Sequence, residues 1–252
     1  MSISHNTFSV GKVFFHFPEI GSTNEHAKSL LAKSNPIEGT VISAGFQTGG
    51  KGQMGSRWES EKNQNILTSI IIYPEYLPIE NTFMLNITIS LALKDLVSKY
   101  IEPTNIKWPN DIYANNKKLG GILIQNTIVG HQIQSTIVGF GLNINQLIFP
   151  QHLPKATSLA LETQSEYVLD SLRLEIFASV DYRLNQLKSR QTALLEREYL
   201  ASLLNLDTIA RYERENGELF EGIIRNVMPN GQLLVEVNGQ NELFGLKEIK
   251  FL

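Results

Sequence analysis

The chain has 252 residues, 42% of them apolar and 19% charged, with a net charge of −3 and a pI near 6.0. This is ordinary globular composition with room for one full core and a small second unit, and its acidic balance argues against a protein that works by gripping nucleic-acid phosphates. No run of about 18 apolar residues exists to span a membrane, and the absence of cysteine excludes a thioester on the enzyme or a thiolate metal site while fitting a cytoplasmic location.

The opening "MSISHNTFSV" has neither a basic n-region nor an apolar h-region, which predicts no secretory leader. "KVFFHFPEI" predicts a first strand and "GSTNEHAKSLLAKS" a helix, with Ser22 and Glu25 at capping-box spacing and Leu30 and Leu31 on the apolar side. "GTVISAGFQ" and "NILTSIIIY" are β-branched runs that predict strands on either side of a glycine loop. "NTFMLNITISLALKDLVSKY" predicts a helix buried on one face, and "NIKWPNDIY", "KLGGILIQN" and "QSTIVGFGLNIN" a second β-rich block. A helical stretch follows from Thr163 to Leu204.

The character changes at Asn205. Short strands ("TIARYER", "LFEGIIRNV", "QLLVEV", "LFGLKEI") alternate with turns, and Asn-Gly pairs at Asn216, Asn230 and Asn238 are hairpin signals. The expectation is a small β-barrel over residues 205–252, docked on a main body of residues 1–204. The histidines (His5, His16, His26, His131, His152) show no H-x-x-x-H spacing, which argues against catalytic zinc.

The loop "GGKGQMGSRW" resembles two phosphate-binding motifs and matches neither. Gly50, Gly52 and Gly55 have dinucleotide-fingerprint spacing, but polar sequence and then a strand follow where a helix must begin. Gly45, Gly50 and Lys51 give most of a Walker A, with Gly52 where the Ser or Thr belongs. What remains is a mobile loop carrying Lys51, Arg57 and Trp58, suited to close over an anion with an aromatic face for a base. A plain surface loop with a half-buried Trp is the bland alternative. In "KWPNDIYANNKKLGGIL", Pro109 turns the chain out of the sheet after Trp108, placing Lys107, Asn110 and Asp111 at a strand end. Lys118 returns on the next strand, and Gly120–Gly121 allow close approach to its backbone. Here the bland reading makes Trp108 core, Asp111 a turn cap and Lys118 a solvated lysine.

The blocks "STN", "FQTGGKGQMGSRW", "KWPNDIY", "KLGGIL" and "GFGLNIN" together resemble the biotin–protein ligases (biotin–[acetyl-CoA-carboxylase] ligases) in order and over essentially the whole chain. The resemblance is to the short form, because Ser22 stands too near the start for a preceding DNA-binding domain of about 60 residues. It implies an α+β fold like that of class II aminoacyl-tRNA synthetases, a mixed sheet with helices packed against it, followed by a C-terminal SH3-like β-barrel. It also implies a two-step activity. Biotin's carboxylate attacks the α-phosphate of ATP to give biotinyl-5′-AMP and pyrophosphate, and a lysine of a biotin carrier domain then attacks the mixed anhydride and releases AMP.

Carried over by resemblance, Ser22, Thr23, Asn24 and Gln47 hold biotin, joined by Gly50, Lys51, Gly52, Gln53, Lys118 and Gly121. Lys51, Arg57, Trp58, Lys107, Asn110, Lys118 and Asn143 hold ATP or the adenylate, with Trp58 against adenine and Asn143 bonded to it. Lys118, Lys51 and Asp111 are the catalytic set, and Asp111 places Mg²⁺ and is a candidate base for the acceptor lysine. The implied partners are biotin, ATP and a carboxylase carrier domain, with no nucleic acid and no membrane. An exposed sheet edge is open either to a second copy, as a homodimer, or to the carrier. One departure stands out: the family's G-R-G-R loop reads Gly50-Lys51-Gly52-Gln53 here, losing a guanidinium fork and a charge. Lipoate- or octanoate-transferring enzymes are the nearest rival, but their R-R-x-x-G-G segment is missing. A non-catalytic biotin- or nucleotide-binding module is a further alternative.

Overall fold

A computed structural model describes residues 9–252; His5 and most of the segment read for a leader lie outside the described residues. Twelve strands and five α-helices follow in chain order: β1 (Phe14–Phe17), α1 (Thr23–Lys33), β2 (Thr40–Ala44), β3 (Asn65–Ile72), α2 (Phe83–Val97), β4 (Thr104–Lys107), β5 (Asp111–Ala114), β6 (Lys117–Val129), β7 (Gln132–Asn143), α3 (Leu159–Thr163), α4 (Leu169–Lys188), α5 (Thr192–Ala201), β8 (Ile209–Arg214), β9 (Leu219–Val227), β10 (Leu233–Val237), β11 (Gln240–Phe244) and β12 (Ile249–Phe251).

The first seven strands form one mixed sheet in the order β1-β2-β3-β7-β6-β5-β4, parallel only at β1–β2. β2 and β3 are buried at every position, which is why they read as largely apolar and β-branched runs rather than alternating ones, with Ser43, Asn65 and Ser69 as buried polar exceptions. Both faces are covered. Val138, Phe140 and Leu142 of β7 join the large core with α2, α4 and α5, whereas Ile42, Ile71 and Ile137 pack with Ala27 of α1. Side chains alternate along a strand, so Gly139, Gly141 and Asn143 share the α1 face with Ile137. That face carries the site.

The mixed sheet and its packed helices agree with the expected α+β class, but the C-terminal barrel does not form. The last five strands make an open sheet in the order β11-β10-β9-β8-β12, and its edges β11 and β12 form no ladder with each other among the described residues. The reason lies in "LFGLKEI", which is not one strand. The chain turns at Gly245–Glu248, where the Gly245 N–H donates to Glu248 Oε2 at 2.5 Å and Lys247 takes φ +70°. Only Ile249–Phe251 is left to pair with β8, too short a strand to reach the far edge. An open sheet suffices because its apolar residues, including Tyr212, Ile224, Leu233 and Val235, join the same core cluster as α2 and α5. All three Asn-Gly pairs lie between paired strands, yet φ is positive at both residues only in Asn238–Gly239, the two-residue link between β10 and β11.

The capping box is also absent. Ser22 precedes α1 with extended backbone and no side-chain cap, and Glu25 instead reaches Lys51 at 2.7 Å. No helix among the described residues is long and apolar enough to cross a membrane.

Candidate functional site

The floor of the site is the β6–β7 ladder, in which Leu123 pairs with Gly139 and Gly121 with Gly141. The two rungs lie about 7 Å apart, two residues at ~3.4 Å each. Glycine is required on this floor. A Cβ at Gly139 would collide with the Asn24 side-chain amide, and one at Gly141 with the Trp58 indole. Each rung thereby receives a side chain delivered from elsewhere, Asn24 from the first turn of α1 and Trp58 from the end of the glycine loop.

Around the Leu123–Gly139 rung the groups are buried and polar. Gln47 Oε1 accepts from the Thr23 backbone N–H at 2.7 Å and from its hydroxyl at 3.1 Å. The Ser69 hydroxyl lies 2.6 Å from Asn24 Oδ1 and 2.7 Å from Thr23 Oγ1, and Asn24 Nδ2 donates to Gln125 Oε1 at 3.0 Å. Ser22, Thr23, Asn24 and Ser69 are all buried, so the Ser69 bonds have little competition from water, and the half-buried Gln47 and Gln125 close the two ends.

Around the Gly121–Gly141 rung the groups are charged. The β4–β5 hairpin turns through a cis Trp108–Pro109 bond and brings Asp111 opposite Lys107 and Gly121. Lys118 Nζ lies 2.7 Å from Asp111 Oδ1 and 5.9 Å from the Trp58 ring centroid. Asn110, almost fully buried, donates to the Ile122 carbonyl at 2.5 Å and ties the hairpin tip to β6. The glycine loop closes on itself as a small hairpin. Lys51 bridges to Arg57, Gly52 N–H donates to Ser56 O at 2.7 Å, and Trp58 N–H donates to Gly50 O at 3.0 Å.

Of the residues singled out in the sequence, Ser22, Thr23, Asn24 and Gln47 line one cavity with Lys51, Gly52, Gln53, Arg57 and Trp58. Asn110, Asp111, Lys118 and Gly121 line the same cavity. Gly50 stands beside it, linked through Trp58. Lys107 does not line it; it faces an adjoining recess with Pro109, Asp111 and Phe251, its ammonium 5.1 Å from the Phe251 ring. Burial lowers the Lys107 pKa, against the opposing pull of Asp111. Burial, and secondarily the Asp111 charge, push the neighbouring Tyr113 phenol up to about 12. Asn143 lies one step beyond Gly141, buried and donating to Thr157 O at 3.0 Å, outside the cavity wall. Trp108 is core, as the bland reading had it, but Asp111 and Lys118 pair with each other across the cavity.

Ser69, Gln125, Gly139 and Gly141 were not assigned from the sequence. The one available signal was the alternation in "GFGLN", where glycine at every second position leaves one face of a strand bare. Ser69 and Gln125 come from register alone.

Comparison with known proteins gives the same picture. Residues 16–143 match the model of the "Biotin/lipoate A/B protein ligase family". The bifunctional ligase/repressor BirA of Bacillus subtilis is 29% identical over 233 residues, covering 91% of this chain and 71% of that protein. The biotin–[acetyl-CoA-carboxylase] ligase of Mycobacterium tuberculosis is 27% identical over 239 residues, covering 93% of this chain and 87% of that one. In structure, a biotin protein ligase of Aquifex aeolicus, solved in complex with biotin and ATP, superposes with a TM-score of 0.79 over 95% of this chain and 98% of that chain. At 24% identity that likeness speaks for the fold. With the family match spanning half the chain and all the strands that build the cavity floor, this chain belongs to the biotin/lipoate A/B protein ligase family.

Proposed function

We propose that this protein is a biotin–protein ligase that activates biotin with ATP as biotinyl-5′-AMP and transfers the biotinyl group to a lysine of a biotin carrier domain. The observation that carries the reading is the two-rung floor: one rung presents buried, fixed polar groups, and the next, about 7 Å along, presents the Lys118–Asp111 pair and Trp58. A ureido ring needs hydrogen-bond partners inside a closed slot, which Ser22, Thr23, Asn24 and Gln47 supply. The carboxylate at the other end of the molecule then falls among the cations.

Adenylation brings the anionic biotin carboxylate against the α-phosphate; as the new O–P bond forms the carboxylate gives up its charge, and negative charge builds on the α-phosphate oxygens and the departing pyrophosphate. Lys118 is the cation placed to stabilise it, with Asp111 holding the ammonium in position until the anions arrive. Lys51 and Arg57 close over the acyl phosphate from the glycine loop, and Trp58 offers its face to adenine. Asn110, Lys107 and Asn143 support the nucleotide side, Asn143 from behind the wall. Mg²⁺ would be held by Asp111 and the triphosphate oxygens and would screen the phosphate charge. This suits an ion that commonly takes one or two carboxylates plus phosphates, and among the described residues no cluster of His, Cys, Asp or Glu offers a full protein cage. In the second step the acceptor lysine must lose a proton, and Asp111 is the only carboxylate among the described residues lining the cavity. We take residues 1–204 as the catalytic unit and 205–252 as its C-terminal companion, with a carboxylase subunit as the carrier and the cytoplasm as the working compartment.

The test is ATP–pyrophosphate exchange with Mg²⁺ and, separately, biotin, lipoate or octanoate. Exchange with biotin alone is expected. Exchange with lipoate or octanoate instead would move the chain to the other branch of its family, and silence with all three in folded protein would make it a binding module.

A further inference from the structure

The hairpin that presents Asp111 is held from behind at three consecutive residues by three different elements. Trp108 Nε1 donates to the Gly231 carbonyl in the β9–β10 turn at 3.0 Å. The Tyr199 hydroxyl, on α5, donates to the Pro109 carbonyl at 2.6 Å. Asn110 Nδ2 donates to Ile122 O on β6 at 2.5 Å. Trp108 and Tyr199 are almost fully buried, and neither lines the main cavity. The supports also touch each other. The Phe83 ring stands edge-on to Tyr199 at 6.0 Å between centroids, and a Cβ at Gly231 would run into it.

Polar bonds are not needed merely to bury these rings, since a phenylalanine would fill almost the same space at Tyr199 and an apolar ring would serve at Trp108. What the bonds add is direction. Tyr199 bonds the hairpin's own backbone, whereas the Trp108 and Asn110 side chains reach out from it to the Gly231 and Ile122 carbonyls, and two of the three partners lie outside the seven-stranded sheet. We propose that Trp108 and Tyr199 are positioning residues for the adenylation step, and that the C-terminal sheet takes part in it by holding the Asp111 hairpin through the Gly231 carbonyl. The inference rests on the proposed ligase function. Asp111 must stay within reach of Lys118 while the ligands enter, and misplacement by about 1 Å at a reacting centre can cost on the order of a hundredfold in rate. Burial pushes the Tyr199 phenol far up, so its proton remains available for the bond at any working pH.

The experiment compares the unsubstituted chain with Tyr199→Phe and Trp108→Phe in biotin-dependent ATP–pyrophosphate exchange, in biotin titration calorimetry and in backbone amide exchange. The expected result is kcat lowered about tenfold, biotin Kd within about twofold, and faster amide exchange confined to residues 110–112 while the β6–β7 ladder stays protected. A fall in biotin affinity matching the fall in kcat, loss of protection throughout the sheet, or an unchanged kcat would each overturn the inference. If Trp108→Phe does not fold, Tyr199→Phe decides alone. An active unsubstituted chain with an unaffected Tyr199→Phe variant sinks this inference only. An unsubstituted chain silent with biotin sinks the ligase reading and this inference with it.

Discussion

The two rungs of the cavity floor differ in how their side chains are held. At Leu123–Gly139 the polar groups form a linked circuit, Gln47 to Thr23 to Ser69 to Asn24 to Gln125, buried at Thr23, Asn24 and Ser69 and half-buried at its two glutamine ends. At Gly121–Gly141 the charged groups are partly exposed and satisfied by one another, Lys118 by Asp111 and Lys51 by Glu25. The first arrangement is held by its own internal bonds and presents its polar groups in fixed positions. The second is exchangeable in the proposed reading, because a partly exposed ion pair can trade its carboxylate for an arriving anion. On the proposed function, recognition is built into the fold, while reactivity resides in pairs that can be exchanged.

The hardest break to that division is Lys118→Ala. Removing the cation aimed at developing charge should lower adenylation about a hundredfold to a thousandfold and leave biotin binding within a few-fold, read as exchange rate against calorimetric Kd. Equal losses in both would mean that Lys118 serves recognition and that the rungs are not separate. Asn24→Ala should do the reverse. It removes the amide that links Ser69 to Gln125 and leaves Ser69 only its bond to Thr23, a loss of about 1–3 kcal/mol of buried polar contact, so biotin KM should rise about tenfold to a hundredfold with kcat nearly kept. A kcat loss larger than the KM rise would contradict the assignment.

Charged rungs are easier to read from sequence than polar ones. "KWPNDIY" and "KLGGIL" are neighbours in the chain, and the β4–β5–β6 meander brings them together through local turns whose Pro and Gly signals were visible. The linked circuit joins Asn24 to Ser69 and Gln125, partners 45 and 101 residues away, and nothing in a Ser within "NILTSIIIY" announces which neighbour it will meet. The two misread elements failed for different reasons, one distant and one local. Ser22 and Glu25 have capping-box spacing, but Lys51, from a distant loop, takes the carboxylate. "LFGLKEI" alternates like a strand, yet the turn at Gly245–Glu248 stops it and leaves the last sheet open.

The glycine loop sharpens the comparison on a smaller scale. Gln53 lines the cavity at the place where the sequence resemblance leads one to expect Arg, so Gln53→Arg should add a charge-assisted partner for the acyl phosphate. Release of biotinyl-5′-AMP, followed after a chase with unlabelled ligand, should slow by about threefold to tenfold, the worth of one such bond in a partly exposed place. Release no slower than in the unsubstituted chain would show that the loop does not govern adenylate retention.

The smallest expected effect belongs to Glu25, and its sign carries the information. About half of each side chain in the Lys51–Glu25 pair is exposed, 51% and 46%, so the bond contributes little to stability. What it does is occupy Lys51. Glu25→Gln frees that ammonium for the incoming triphosphate, and ATP KM should fall by up to about twofold rather than rise. The Lys51 hydrogen bond, as the largest cause, holds the Glu25 pKa below its ordinary value. A carboxylate depressed in the folded state keeps its contribution above the unfolded pKa of about 4.3 and loses it only as pH falls through the lowered value. Between pH 6 and 8 the pair is therefore intact, and the ratio of ATP KM between Glu25→Gln and the unsubstituted chain should be flat across that window. A slope there, or a KM that rises, would mean that Glu25 holds the loop in its working shape, and the pair at the second rung would then be as fixed as the circuit at the first.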